Sequence, residues 1–315
     1  MNISVVLCTY NRGEALARAL QSVSNQVLPP SIEWEVLVVN NNSTDQTSAV
    51  VEGYTQRFPG RFRYVFEPRP GKSHALNAGI QAARGDILAF MDDDVTMEPN
   101  WLQNLTAELH SSEWAGAGGP ILPERAFSLP RWLSVDDPRS LAPLALFNPG
   151  SEPGILRESP FGTNMAFRKE IFDRFGGFRT DLGPQPDSLL RGEDSEFGKR
   201  VMAAGLQIRY EPSARVFHAA LEERLQKHYF LGWWFDKGRS DLREFGIPPE
   251  ASWSISGIPL FMLRNLTVWT LRWVFAIRPC RRFFWKIQIR WMIGQIVESR
   301  QKYQSLALAS TKVRT

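Results

Sequence analysis

The chain of 315 residues has only two cysteines, Cys8 and Cys280, and four histidines. So few thiols exclude a disulfide framework and a cysteine-rich zinc site, and they point to a reducing compartment. No run of about eighteen uncharged apolar residues occurs, so a simple membrane-spanning helix is not expected. The amino terminus lacks the positive flank and cleavage site of a signal peptide, because Ile3–Cys8 runs straight into a polar turn. No G-x-G-x-x-G follows that first apolar run, which argues against a dinucleotide oxidoreductase. No internal repeat is evident. With 43% hydrophobic and 22% charged residues the composition is that of a globular protein, neither disordered nor collagen-like. The length allows a sizeable core in one large domain or two.

Acid is scarce in one place only. Residues 251–315 hold 11 Lys/Arg against a single acid, Glu298, whereas residues 1–250 hold 26 Lys/Arg against 32 Asp/Glu. The net charge of +4 therefore hides an acidic body and a basic tail, an arrangement that meets anions. Between Ser252 and Val297 lie seven cations, no acids and five tryptophans: Trp253, Trp269, Trp273, Trp285 and Trp291. Leu266, Trp269, Trp273 and Ile277 fall on one helical stripe, and Pro279 separates two helical pieces. Basic, Trp-rich amphipathic helices lie in a bilayer interface, with arginines at anionic headgroups. The plainer reading is a helical pair packed on the rest of the protein with its arginines solvated. Nucleic acid is not an expected partner, since no recognition motif accompanies the charge.

The first 120 residues alternate strand and helix patterns. Ile3–Cys8, Trp34–Val39, Phe62–Phe66 and Asp86–Met91 read as strands. Between them, Leu16, Ala19, Leu20 and Val23, then Val50, Val51, Tyr54 and Phe58, then Ala75, Leu76, Gly79, Ile80 and Ala83 recur at helical spacing. Pro99 opens a further helix carrying Leu102, Leu105 and Leu109. This order implies an α/β fold, a mostly parallel sheet with helices on both faces, in which ligands bind beyond the carboxyl ends of the strands. Thr9–Arg12, Asn40–Asp45 and Asp92–Asp94 all lie at those ends. Eight prolines between Pro120 and Pro160 mark a long loop, a candidate flap over the site. Gly162–Phe167 then reads as a strand, followed by a short helix to Phe175, a helix from about Asp194 to Ala204, and strands at Gln207–Tyr210 and Arg215–His218.

Asp92-Asp93-Asp94 is the sharpest chemical signal. Three adjacent carboxylates repel one another unless a cation or solvent screens them. Mg²⁺ characteristically bridges one or two carboxylates to substrate phosphates. A second carboxylate cluster, Glu193-Asp194, stands at a helix start, where the macrodipole favours anions. A base that deprotonates an acceptor hydroxyl needs such a carboxylate. A plain helix N-cap is the simpler account of Asp194, and a structural core histidine the simpler account of His218.

With these pieces in order, the chain resembles the family-2 glycosyltransferases of the GT-A fold. The resemblance rests on Val5–Arg12, Glu35–Asp45, Gly71–Gly79, Asp86–Asp94, Asn164–Arg168, Gly176-Gly177-Phe178, Gly192–Phe197 and Val216–His218. It covers roughly residues 3–220 and not the C-terminal third. It implies metal-dependent, inverting transfer from a nucleotide-diphospho sugar to a glycan or lipid-linked acceptor, with Mg²⁺ or Mn²⁺ on the diphosphate. By that likeness Thr9, Tyr10, Asn11 and Arg12 hold the nucleotide, and the Asn40/Asn41 segment lies near the base. Asp92 faces the ribose or the metal, Asp93 lies on the nucleotide side, and Asp94 binds the metal. Asp194 is the general base, with Glu193 beside it, and His218 completes the metal shell. Lys72 and Asn77 contact nucleotide or phosphate. The Pro-rich loop and Gly162, Thr163 and Asn164 shape the acceptor pocket.

Relatives commonly carry Asp where this chain has Asn40. An amide both donates and accepts, so the donor nucleotide stays open. The Gln-x-x-Arg-Trp element of processive synthases is missing, and Gly232-Trp233-Trp234 occupies its region, which favours single-sugar transfer. The expected division is a catalytic domain over 1–220, with a nucleotide-binding half at 1–119 and an acceptor-side half at 120–220. A basic helical region over 221–315 follows. The expected setting is cytoplasmic, peripheral on the cytoplasmic face of a membrane. Two rival readings are a catalytically degenerate carbohydrate-binding scaffold and a sugar-1-phosphate nucleotidylyltransferase. The first is disfavoured by the intact acids. The second is disfavoured because Thr9–Gly13 is not a Gly-rich basic phosphate loop.

Overall fold

The computed structural model describes residues 2–111, 113–134, 141–186, 188–218, 224–247 and 253–312. The chain falls into two compact units. A sheet unit comprises residues 1–126, 146–186 and 193–220, and a helical unit comprises 127–145, 187–192 and 221–315. The division expected at 220/221, and residues 135–140 of the Pro-rich loop, lie outside the described residues.

The sheet unit opens with β1 (Asn2–Thr9), α1 (Gly13–Ser24), β2 (Glu33–Asn40), α2 (Thr47–Arg57), β3 (Phe62–Phe66), α3 (Lys72–Ala82) and β4 (Ile87–Asp92). A short β5 (Val95–Met97) and α4 (Trp101–Thr106) follow, then β6 (Trp114–Gly118), β7 (Ile121–Pro123) and β8 (Gly154–Ile155). The unit closes with β9 (Asn164–Arg168), α5 (Lys169–Phe175), α6 (Glu193–Ala203), β10 (Gln207–Tyr210) and β11 (Val216–His218). Eight strands form one sheet in the order β3-β2-β1-β4-β9-β6-β10-β8. The β3-β2-β1-β4 block and the β6/β10 pair are parallel, while β9 runs antiparallel to both its neighbours.

Alternation along the strands feeds a core on each face of the sheet. Ile3, Val5 and Leu7 of β1 pack with Leu16, Leu20 and Trp101 on one face. Val6 and Cys8 pack with Leu76, Phe172 and Phe197 on the other. These faces carry α1 and α4, and α3, α5 and α6, respectively. The Pro-rich stretch is not wholly irregular. It supplies β7 and β8, and β7 joins a second, three-stranded sheet in the order β5-β11-β7.

The helical unit contains α7 (Lys227–Phe245), α8 (Leu260–Val274) and α9 (Pro279–Lys312), with a two-stranded hairpin of β12 (Ser254–Ile255) and β13 (Ile258–Pro259) before α8. Its core is Leu242, Met262 and Met292, with Leu266, Trp269 and Trp291 packed against them. α7 and α9 cross closely because a Cβ on Gly238 would collide with the Trp291 carbonyl oxygen, and one on Gly294 with that of Phe235. Arg239 and Arg243 both bond Glu298 across this crossing. The expected stripe is cut short: α8 ends at Val274, leaving Ile277 outside it and 95% exposed. No helix among the described residues is long and apolar enough to cross a membrane.

Candidate active site

The three acids stand where β4 runs out. Each has a cation in reach. Asp92 accepts from the Lys72 ammonium at 2.5 Å and from the Thr163 hydroxyl at 2.6 Å. Arg12, at the end of the β1 segment, donates to Asp93 at 3.2 Å and to Asp94 at 3.0 Å. His218 is buried, and its Nε2 lies 3.5 Å from Asp94 Oδ1. Strand pairing explains that approach. β11 lies antiparallel to β5 with His218 opposite Val95, the residue that follows Asp94.

Charge sets the protonation behaviour of the cluster. Burial alone would raise the Asp92 carboxyl, but the Lys72 ammonium and the bonds from Lys72 and Thr163 outweigh it and hold the group below the ordinary range. Burial pushes Asp93 up to about 6, with Arg12 opposing and Asp94 adding to the rise. Lys72 is held above the ordinary lysine range despite burial, because Asp92, Glu193 and Asp194 surround it. Glu193, buried at the start of α6, is pushed up to about 7 by burial and by the neighbouring Asp194 charge.

Asp194 is half-buried and fixed by backbone amides. Gly162 N–H donates to its Oδ2 at 2.7 Å, and Ser195 N–H to its Oδ1 at 2.7 Å. Oδ1 also accepts from the Ser195 hydroxyl at 3.4 Å, while Oδ2 keeps a further lone-pair direction for a proton to be taken up. Gly162 stands so close that a Cβ there would press on Asp194 Oδ2.

Other candidate residues serve the framework. Asn40 donates to Ser48 and Tyr64 hydroxyls and accepts from Ser43 N–H. Asn41 donates to the carbonyls of Glu67 and Arg69 and accepts from Gly71 N–H. Asn11, at φ 51°, accepts from Thr44 N–H and so ties the β1 and β2 loops together. Asn77 pairs with both backbone groups of Phe178. Asn164 is fully buried, accepting from the Trp101 indole and donating to the carbonyls of Pro120 and Ala214. Tyr10 is exposed at the strand end, and Thr9 lies buried beside Asp93. The acidic triplet Asp92–Asp94 stands out in the sequence, but the Thr163 contact with Asp92 and the role of β5 escaped sequence reasoning. The alternating Val95-Thr96-Met97 was the available signal for β5.

The residues present fit a hard divalent ion. Asp94 and His218 offer one carboxylate and one imidazole close enough to share a cation. No group of three or more His, Cys, Asp or Glu that could hold a metal occurs among the described residues. Asp94 and His218 alone would supply only part of a coordination shell, and Mg²⁺ or Mn²⁺ would need its further ligands from substrate oxygens and water.

The sequence model described as "Glycosyl transferase family 2" matches residues 4–176, more than half of the chain. The chain belongs to glycosyl transferase family 2. It is a glycosyltransferase. The Rhizobium meliloti succinoglycan biosynthesis protein ExoM is 29% identical over 225 residues, 71% of this chain and 69% of that protein. The Haloferax volcanii glucosyl-dolichyl phosphate glucuronosyltransferase is 25% identical over 263 residues, 80% of each. Among solved structures, the Pyrobaculum calidifontis mannosyltransferase PcManGT, in complex with GDP-Man and Mn²⁺, is similar with a TM-score of 0.55 at 19% identity. The match covers 99% of this chain and 79% of that one. The likeness to such structures gives the GT-A fold.

Proposed function

We propose that this family-2 glycosyltransferase moves a single sugar from a nucleotide-diphospho sugar to a hydroxyl of a glycan or lipid-linked acceptor, with inversion. The observation that carries this reading is the approach of His218 to Asp94, at 3.5 Å, with Asp194 held by Gly162 N–H, whose neighbour Thr163 bonds Asp92. Asp94 and His218 would hold Mg²⁺ or Mn²⁺. Such an ion, when bound, offsets charge growing on the departing diphosphate. Asp92 positions Lys72, whose ammonium is aimed at the same phosphates, and Arg12 adds a second cation. Thr9, Tyr10 and Asn11 border the nucleotide, while Asn40 and Asn41 shape the base pocket through the loops they tie. Asn77 and Asn164 support these walls from behind.

Asp194 takes the proton from the attacking hydroxyl. Its two amide bonds restrict it to one orientation, which is what a general base needs before geometry can be productive. Glu193 packs beneath it, and Gly162 and Thr163 flank the acceptor. One displacement from the opposite face inverts the anomeric centre. A catalytic domain over 1–220 and a basic region over 221–315, peripheral on the cytoplasmic face of a membrane, complete the reading. The names of two relatives support its parts: one acts on a glucosyl-dolichyl phosphate, and one is bound to GDP-Man and Mn²⁺.

Calorimetry with UDP, GDP, dTDP and CDP, each with Mn²⁺ and with EDTA, tests it. One nucleotide should bind with Mn²⁺ and be lost with EDTA. Asp194→Asn should keep that binding while turnover falls about 10²–10⁴-fold. Binding indifferent to EDTA, or full turnover in Asp194→Asn, would sink the assignment.

A further inference from the structure

The helical unit holds a cleft of about 210 Å³ whose walls include Trp132, Phe283, Phe284 and Ile287, with Arg278 and Arg281 lining the same space. The walls are firm. Trp132 meets Phe283 edge-on at 4.4 Å between ring centres, and Phe230 backs them both. The two arginines are exposed, and among the described residues no carboxylate pairs with either. Their neighbours differ: Arg272 lies over Trp285, Arg282 over Trp273 and Arg290 over Phe235.

α8 leads into this cleft and has two apolar faces. Met262, Leu266 and Trp269 face the core of the unit. Val268, Leu271, Val274 and Phe275 recur at helical spacing on the other side and are exposed, Phe275 by 78%. Ile277, nearly fully exposed, continues them to Arg278. An exposed apolar strip that ends in cations with no carboxylate partner among the described residues is a surface with two requirements, an apolar phase and an anion.

We propose that this strip and cleft dock on a bilayer carrying anionic phospholipid. Phosphates sit at Arg278 and Arg281, Phe275 and Ile277 enter the acyl boundary, and the Trp132–Phe283–Phe284 walls take apolar chain. The proposal rests on the reading that the C-terminal region contacts a membrane, and it names the patch that does so. A second copy of the chain would bring two sets of arginines face to face, which like charge opposes. A nucleic acid would use the cations and leave Phe275 and Ile277 in water.

Flotation of the full chain with vesicles tests the patch, using phosphatidylcholine alone or with one third phosphatidylglycerol. Wild type should prefer the anionic vesicles. Arg278→Ala with Arg281→Ala should weaken that binding roughly thirtyfold, since each cation near such a surface is worth roughly fivefold. The preference for anionic vesicles and its salt dependence should shrink with it. Phe275→Ser with Ile277→Ser should instead lower binding to both vesicle types and leave their ratio alone. Vesicles should also slow maleimide labelling of Cys280, which lines the cleft, while Cys8 is buried. Circular dichroism confirms that these exposed substitutions leave the fold intact. Vesicle binding unchanged in both double variants overturns the patch and leaves the membrane reading standing. No vesicle binding by wild type overturns both. Saturable binding of inorganic phosphate without vesicle binding, or a dimer that Ile277→Ser dissolves, also overturns the patch.

Discussion

At the carboxyl edge of β4 every acid has a cation in reach, whereas the first turn of α9 carries Arg281 and Arg282, follows Arg278, and holds no acid. The sheet unit resolves its charge internally. Arg12 serves Asp93 and Asp94 and Lys72 serves Asp92, which offsets the repulsion among three carboxylates at one strand end. In the helical unit, by contrast, Arg278 and Arg281 are exposed and have no carboxylate partner among the described residues. Some other charges of that unit are paired, as in Arg239, Arg243 and Glu298 or Lys237 and Asp241.

Removing a cation from the sheet unit should have the largest effect. Lys72→Met leaves Asp92 without its ammonium and Glu193 without its nearest positive charge, 3.8 Å away. Breaking a fully buried pair costs ~3–5 kcal/mol. Both partners here are 23% exposed, which lowers the expected loss to about 2–4 kcal/mol. Urea unfolding measures it, and a loss under about 1 kcal/mol would mean the pair behaves as a surface contact.

The helical unit should answer to packing instead. Gly238→Ala forces α7 and α9 apart at their crossing, an overpacking that typically costs about 1–3 kcal/mol. Thermal unfolding should show it, with Arg239 and Arg243 unable to compensate while Glu298 is displaced. A wild-type midpoint would show that the crossing adjusts freely.

Glu193→Gln sharpens the comparison through pH. A carboxyl raised from 4.5 to about 7 binds more protons folded than unfolded between those values. Wild-type stability from this group therefore falls as pH rises through that window. The variant should be more stable than wild type at pH 8, with the difference fading below about pH 5. An equal difference at both values would remove burial as the cause.

Much of this was legible in the residues. The strand ends Thr9, Asn40 and Asp92 follow from apolar β-branched runs meeting polar clusters, and β3 over Phe62–Phe66 matches its expected span. α6 begins one residue before the expected Asp194. What the pattern could not carry was which polar side chains face a ligand and which hold the frame. Asn40, Asn41, Asn77 and Asn164 all read as ligand contacts, yet each spends its amide on other parts of the chain, and for the buried Asn40, Asn41 and Asn164 that follows because a buried amide must be satisfied wherever it stands. Non-local pairing was equally hidden. Only the antiparallel match of β5 with β11, more than a hundred residues apart, brings His218 to Asp94. In the helical unit, the break at Pro279 was legible, but the stripe carried to Ile277 runs three residues past the end of α8 at Val274.

The smallest effect belongs to the arginines at the start of α9. Cations in a first turn oppose the helix macrodipole, each by about 0.3–1 kcal/mol at low salt. In the protein without vesicles, replacing Arg278 and Arg281 by alanine should therefore leave the unfolding midpoint unchanged or raise it slightly. Added salt should erase the gain, because the dipole term is screened. This outcome would set the two units apart by sign: a cation lost from the sheet unit destabilises, and a cation lost from this face does not. A fall of more than about 1 kcal/mol would place the arginines among the contacts that hold the fold. They would then have no unmet need for an anion, and the contrast between the units would collapse.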